Sequence, residues 1–222
     1  MSLQRFFLSF LLCALAGQTA WAERVEKSGE RLYYVHAPDG LAENAKPGLL
    51  VWLHPASGNA QPEFDWWVQM GGPARNFILL CPQARERSWN PNDRRFVEDS
   101  IDEVIERFGV DRERVFLGGH SSGGFFTFYV GLRELDAFAG YIVAGAGTRK
   151  SIPRAGFDPP RFLLYHARDD AVIAFERAEK TREKLEEAGF AVTFVEGAHG
   201  HGIGPDLARA TRDFLAEAED SP

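Results

Sequence analysis

The residues best suited to chemistry sit in one turn, Gly118-Gly119-His120-Ser121-Ser122-Gly123-Gly124. An apolar run, Arg114-Val115-Phe116-Leu117, precedes it, and an aromatic-rich segment from Phe125 to Leu132 follows. That order reads strand, sharp turn, helix. Gly119 to Gly123 spells G-x-S-x-G, the pattern of a serine at the tip of a strained strand-to-helix turn. Such a turn leaves little room for side chains two residues either side of the serine, which glycine resolves. It lifts Ser121 Oγ out of the sheet and aims a helix N-terminus at the reacting centre. A glycine-rich turn carrying serine is also an ordinary strand–helix connection, so the rest of the chain must decide between the two readings.

A nucleophilic serine needs an acid and a histidine downstream, and two backbone N–H donors for the developing oxyanion. An apolar strand, Phe162-His166, is followed by Ala167-Arg168-Asp169-Asp170-Ala171-Val172, which places Asp169 and Asp170 at a strand end. A buried carboxylate there would fix the imidazole tautomer, and the other aspartate would cap the next helix or face water. The base falls in Glu196-Gly197-Ala198-His199-Gly200-His201-Gly202, which offers His199 and His201. His at i and i+2 can also chelate a metal, but no cluster of Asp, Glu or Cys at ligand spacing accompanies the pair. His54 and His120 are expected to hydrogen-bond locally to backbone. One oxyanion donor is the N–H after the nucleophile, that of Ser122. The other belongs to His54-Pro55-Ala56-Ser57-Gly58, where Pro55 has no N–H and Ala56 is the choice.

The elements that must hold these residues alternate. Strands are expected at Arg31-His36, Leu49-Leu53, Phe77-Cys81, Val115-Gly118, Tyr141-Ala144, Phe162-His166 and Val192-Glu196. Several are continuous Val/Leu/Phe runs, as strands covered on both faces require. Helices are expected over about 95–108 and 124–133, from Phe175 to Ala188 with Gly189 as the stop, and from Pro205-Asp206 onward. This alternation implies an α/β fold with a mostly parallel, doubly wound sheet and helices on both faces. Ligands bind such sheets at the carboxyl ends of the strands.

Of the 222 residues, the first 22 read as a secretory leader rather than as part of the fold. Arg5 supplies the positive end, Phe6 to Ala16 an apolar run too short to span a bilayer, and Ala20-Trp21-Ala22 the cleavage site. Residues 23–222 are then a single domain, large enough for a real core and too short for a sizeable lid. The net charge is −7, or −8 without Arg5, and no Lys/Arg cluster occurs, which argues against nucleic-acid partners. There is no basic amphipathic helix for stable membrane association after leader cleavage. Of two cysteines, Cys13 leaves with the leader, and Cys81 is expected as a buried small hydrophobe.

Taken together, these segments resemble α/β-hydrolase esterases of the polyhydroxybutyrate-depolymerase and feruloyl-esterase type. Leu49-Leu53 with His54 resembles the strand ending in His-Gly, and Cys81-Pro82-Gln83 with Ser88-Trp89-Asn90 resembles the Tyr-Pro-x and Trp-Asn segment. Val110-Asp111-Arg112-Glu113-Arg114-Val115 leads into the Ser121 turn as the family's Asp-x-x-Arg-Val run does. His166 to Val172 is similar to the superfamily's His-Gly-x-x-Asp-x-Val. The resemblance selects Ser121 over Ser122, Asp170 over Asp169 and, because a glycine precedes it, His201 over His199. The chain departs from the pattern at Pro55, where the family has Gly, and at Ala167 and Ile173, which replace Gly and Pro. The resemblance implies a secreted or periplasmic serine carboxylic-ester hydrolase with no cofactor, acting on a small-molecule or oligomeric ester. Trp66, Trp67 and Trp89 are expected in loops near the mouth of the site. A peptidase or thioesterase with the same triad, and a non-catalytic binding protein on this scaffold, are the rival readings.

Overall fold

An eight-stranded sheet runs through the protein, in a computed structural model that describes residues 21–27, 31–42 and 44–217. In chain order its strands are β1 (Trp21–Lys27), β2 (Arg31–Ala37), β3 (Gly48–Leu53), β4 (Phe77–Pro82), β5 (Val115–His120), β6 (Gly140–Ala144), β7 (Arg161–Ala167) and β8 (Val192–Gly197). Their spatial order is β1-β2-β4-β3-β5-β6-β7-β8. The first two strands are antiparallel, and β4 to β8 with β3 are parallel to one another. Five helices connect them: α1 (Gln61–Gln69), α2 (Arg94–Phe108), α3 (Ser122–Gly131), α4 (Phe175–Glu187) and α5 (Pro205–Ala216). The leader assigned to residues 1–22 lies outside the described residues, except for Trp21 and Ala22, which open β1.

The two-sided apolar strands divide the core by residue parity. Leu49, Val51 and Leu53 of β3 pack toward α2, α3 and α4, whereas Leu50 and Trp52 pack toward α1 and α5. This is the alternation of side chains that a strand imposes, with helices covering both faces. α3 is apolar nearly all round and correspondingly buried. α4 ends as read from the sequence: Gly189 takes φ +96, and the N–H groups of Gly189 and Phe190 close onto the last turn. Cys81 is buried on β4, and burial pushes its thiol pKa well above the usual range, so it packs as an inert hydrophobe.

Two elements were not foreseen, β1 and α1. Two of the seven residues of β1, Trp21 and Ala22, fall in the stretch read as a leader. α1 opens at Gln61, with Pro62 in its first turn, in a segment that reads as loop, and it corrects the placement of two tryptophans. Trp66 and Trp67 ride on α1, with Trp67 fully buried and edge-on to Trp52, their centroids 5.1 Å apart. An aromatic of that size stabilises the sheet–helix contact through the area it removes from water.

Candidate active site

The parallel strands β3, β5, β7 and β8 all deliver their carboxyl ends to one edge of the sheet, and the candidate residues follow them. Ser121 sits immediately after β5 with φ +51 and ψ −111, a strained conformation for a residue with a Cβ. The strain is enforced by contact. A Cβ on Gly123 would lie 1.9 Å from the Leu53 carbonyl oxygen, and one on Gly119 would lie 2.6 Å from the Gly123 backbone. The glycines two residues either side of the serine are therefore required by packing between the turn and β3.

His201, in the loop after β8, brings Nε2 to 2.8 Å from Ser121 Oγ and Nδ1 to 2.7 Å from Asp170 Oδ2. Asp170, in the loop after β7, has a side chain with no exposed surface. Its other oxygen accepts the N–H groups of Val172 and Ile173, both at 2.8 Å. Burial alone would push this carboxyl up. The hydrogen bonds from His201, Ile173 and Val172 outweigh burial and hold it below the ordinary carboxylate range. An ionised Asp170 requires Nδ1 of His201 to carry the ring proton, which leaves Nε2 free to accept from the serine hydroxyl. Asp169 instead accepts the N–H of Gly200 at 3.2 Å and helps shape the His201 loop. His199 points away, 45% exposed and 3.5 Å from Asp206.

The loop after β3 is organised by His54. Its Nε2 accepts the Ala84 N–H at 3.1 Å, so its Nδ1 must donate to the Pro55 carbonyl, 2.7 Å away. Burial lowers the His54 pKa, in keeping with that single-proton role. The Ser57 N–H closes back onto Pro55 and the Gly58 N–H onto Arg87. The Ala56 N–H has no backbone partner among the described residues, and Ala56 lines a cavity shared with Ser121 and Ser122. The cavity measures about 390 Å³, and Trp89, Phe125, Phe126 and Tyr129 supply its aromatic wall. Trp89 stacks on Phe126 and donates Nε1–H to the His54 carbonyl at 2.9 Å. Its backbone N–H is accepted by Ser122 Oγ at 3.1 Å. Of the three tryptophans expected at the mouth, only Trp89 lines this cavity.

Two buried polar residues escaped the sequence reading. His166 at the end of β7 donates from Nε2 to the Ile173 carbonyl at 2.7 Å and lies 3.2 Å from Asp170 Oδ2, behind the acid. Glu63 on α1 accepts Trp52 Nε1–H at 2.6 Å and pairs with His120 Nδ1, also at 2.6 Å. His120 thus departs from expectation. It bonds a carboxylate and the distant carbonyl of His201, not local backbone. A glutamate in the first turn of a helix reads in sequence as a dipole or capping residue, so nothing marked Glu63 as buried. Among the described residues, no group of three His, Cys, Asp or Glu could hold a metal ion.

Comparison with known proteins bears on the fold that carries these residues. The fold is that of the α/β-hydrolases. The acetyl xylan esterase from Aspergillus awamori superposes with a TM-score of 0.65 at 16% identity, covering 88% of this chain and 99% of that one. In sequence, the chain is 25% identical over 161 residues to a bifunctional acetylxylan esterase/xylanase of Neocallimastix patriciarum, covering 69% of this chain and 23% of that protein. It is 30% identical over 146 residues to feruloyl esterase B of Neurospora crassa, covering 56% of this chain and 48% of that protein. The chain therefore spans between about a quarter and about half the length of those two relatives. No family model matches it.

Proposed function

We propose that the chain is a serine carboxylic-ester hydrolase that works through an acyl-enzyme. The observation that carries this reading is the unbroken hydrogen-bond line from Ser121 Oγ through the His201 ring to Asp170, with links of 2.8 and 2.7 Å. Ser121 Oγ attacks the ester carbonyl as its proton passes to His201 Nε2. Asp170 stabilises the imidazolium without taking the proton. The N–H groups of Ala56 and Ser122 receive the oxyanion, each contributing about 3 kcal/mol to lowering the barrier. His201 returns its proton to the departing alcohol oxygen. Water, activated by the same ring, then attacks the acyl-Ser121 carbonyl and releases the acid. No step requires a cofactor.

The relatives guide the choice of ester. Relatives named acetylxylan esterase and feruloyl esterase point to an acetyl or a feruloyl ester, and the aromatic wall of Trp89, Phe125, Phe126 and Tyr129 offers a face to a planar acyl group or a sugar ring. We assign the enzyme to the secreted or periplasmic space, on the leader-like residues 1–22. Among the described residues no helix is long and apolar enough to cross a membrane.

The purified protein, beside Ser121→Ala, should be assayed on p-nitrophenyl acetate, methyl ferulate, a thioester and a peptide amide. Ester turnover that disappears in Ser121→Ala is expected. Unchanged turnover in that variant would remove the nucleophile from the reading. Cleavage of the amide or thioester in preference to both esters would replace it with a peptidase or thioesterase. Inertness to all four, and to a serine-directed phosphonate, would make the chain a binding protein on a hydrolase scaffold.

A further inference from the structure

A second histidine–carboxylate pair lies directly beneath the first. His120 is the residue before Ser121, at the end of β5, and its ring is buried. Its ring centroid stands 5.2 Å from that of His201. Its Nδ1 is 2.6 Å from Glu63 Oε1, and its Nε2 is 2.7 Å from the carbonyl oxygen of His201. Glu63 is itself pinned, because its other oxygen accepts Trp52 Nε1–H at 2.6 Å. A continuous line thus runs from β3 through α1 and the end of β5 to the backbone of the loop that carries His201.

We propose that Glu63 and His120 are positioning residues for the reaction, a buried carboxylate–imidazolium pair whose Nε2–H holds the His201 carbonyl and so aims the His201 ring at Ser121. The proposal rests on the ester-hydrolase reading of Ser121 and His201. The chemistry of the two partners fixes the proton count. A carbonyl oxygen only accepts, so Nε2 must carry a proton. A carboxylate also only accepts, so Nδ1 must carry one too. Losing either proton turns a lone pair toward an acceptor, and the hydrogen bond there becomes a repulsion. The electrostatic surroundings point the same way. Burial alone would lower the His120 pKa, but the hydrogen bond and charge of Glu63, the His201 carbonyl and the charge of Asp170 outweigh it and raise it. The groups facing the ring are Glu63 from α1, Asp170 from the loop after β7, and His201 from the loop after β8.

This arrangement predicts a pH effect that mere packing would not produce. As pH rises through the raised His120 pKa, one of its two hydrogen bonds must fail, the His201 loop loosens, and turnover falls on the alkaline side. Glu63→Gln removes the conflict. Its amide can donate to an unprotonated Nδ1 while still accepting from Trp52, so the ring keeps Nε2–H on the His201 carbonyl without a charge.

The test reads two quantities on wild type, Ser121→Ala, His120→Phe, His120→Gln and Glu63→Gln. One is the rate of Ser121 labelling by a p-nitrophenyl phosphonate. The other is p-nitrophenyl acetate hydrolysis from pH 5 to 10, with circular dichroism to confirm folding. His120→Phe should cut kcat and the labelling rate about a hundredfold, the scale of a reacting group misplaced by an ångström, with KM within about twofold. His120→Gln, which can still donate to the His201 carbonyl, should recover part of the loss. The alkaline limb of the wild type should move up by a pH unit or more in Glu63→Gln. A folded His120→Phe within about threefold of wild type would overturn the relay, as would coincident alkaline limbs in wild type and Glu63→Gln. If His120→Phe does not fold, the Glu63→Gln comparison decides alone. A wild type that neither labels nor hydrolyses would overturn the ester-hydrolase reading and the relay with it. Labelling of the wild type but not Ser121→Ala keeps that reading standing whatever the relay variants do.

Discussion

His201 and His120 are built alike up to their last partner. Each presents Nδ1 to a buried carboxylate, Asp170 at 2.7 Å and Glu63 at 2.6 Å, and each turns Nε2 toward an oxygen at 2.8 and 2.7 Å. For His201 that oxygen is a serine hydroxyl, which can both donate and accept. For His120 it is a carbonyl, which only accepts. A ring facing a hydroxyl can take a proton and hand it back. A ring facing a carbonyl must keep its proton to keep its bond. In the proposed mechanism the same dyad therefore serves as a shuttle in one place and as a clamp in the other, and the difference lies in one partner atom.

Neutralising each carboxylate should break the likeness most sharply. Asp170→Asn leaves the shape of the site but lets the amide donate to Nδ1, turning the His201 proton toward Ser121. A loss of about ten-thousandfold in kcat is expected, measured on p-nitrophenyl acetate at neutral pH. Glu63→Gln makes the same chemical change one pair away, and its neutral-pH loss should be smaller by orders of magnitude. Equal losses in the two variants would dissolve the distinction between shuttle and clamp. A smaller effect is expected one link further out. Trp52→Phe removes the donor to Glu63 Oε2 while keeping an aromatic body against Trp67. Leaving that buried oxygen unpaired should cost about 1–3 kcal/mol in urea unfolding.

The pair also predicts how stability follows pH. The folded His120 pKa is raised above its unfolded value of about 6.5. Its contribution is therefore complete below that unfolded value and is lost as pH rises through the folded one. The wild-type urea midpoint should decline across that interval, and the decline attributable to His120 should vanish in Glu63→Gln. Identical pH dependence in both proteins would show that the Glu63 charge does not hold the His120 proton.

The sequence made the shuttle legible and left the clamp hidden, for physical reasons. Strands β3 to β7 announce themselves as apolar runs because both sheet faces are covered. Ser121 is marked by glycines that close packing against Leu53 demands. Asp170 and His201 were narrowed from adjacent alternatives by resemblance, since periodicity alone does not say which of Asp169 and Asp170 turns inward. Glu63 has no comparable mark. Its burial depends on α1 folding down beside β3, and α1, with Pro62 in its first turn, is a short segment whose tryptophans read equally well as a loop. His120 was visible, but its partners lie 57 and 81 residues away in sequence, beyond the reach of any local pattern.

The smallest expected effect concerns the histidine nearest to His201 in sequence. His199 shares its loop, yet its side chain is 45% exposed and 3.5 Å from Asp206, with no hydrogen bond to Ser121 or Asp170. An exposed side chain with one long surface contact changes stability by no more than about 0.5 kcal/mol when removed. His199→Ala should therefore leave kcat within about twofold and the urea midpoint nearly fixed, whereas His201→Ala should be as inactive as Ser121→Ala, because members of such a unit fail together. The reverse pattern, with His199→Ala inactive and His201→Ala active, would transfer the base to His199. It would also leave the His120 clamp holding a loop with nothing to aim.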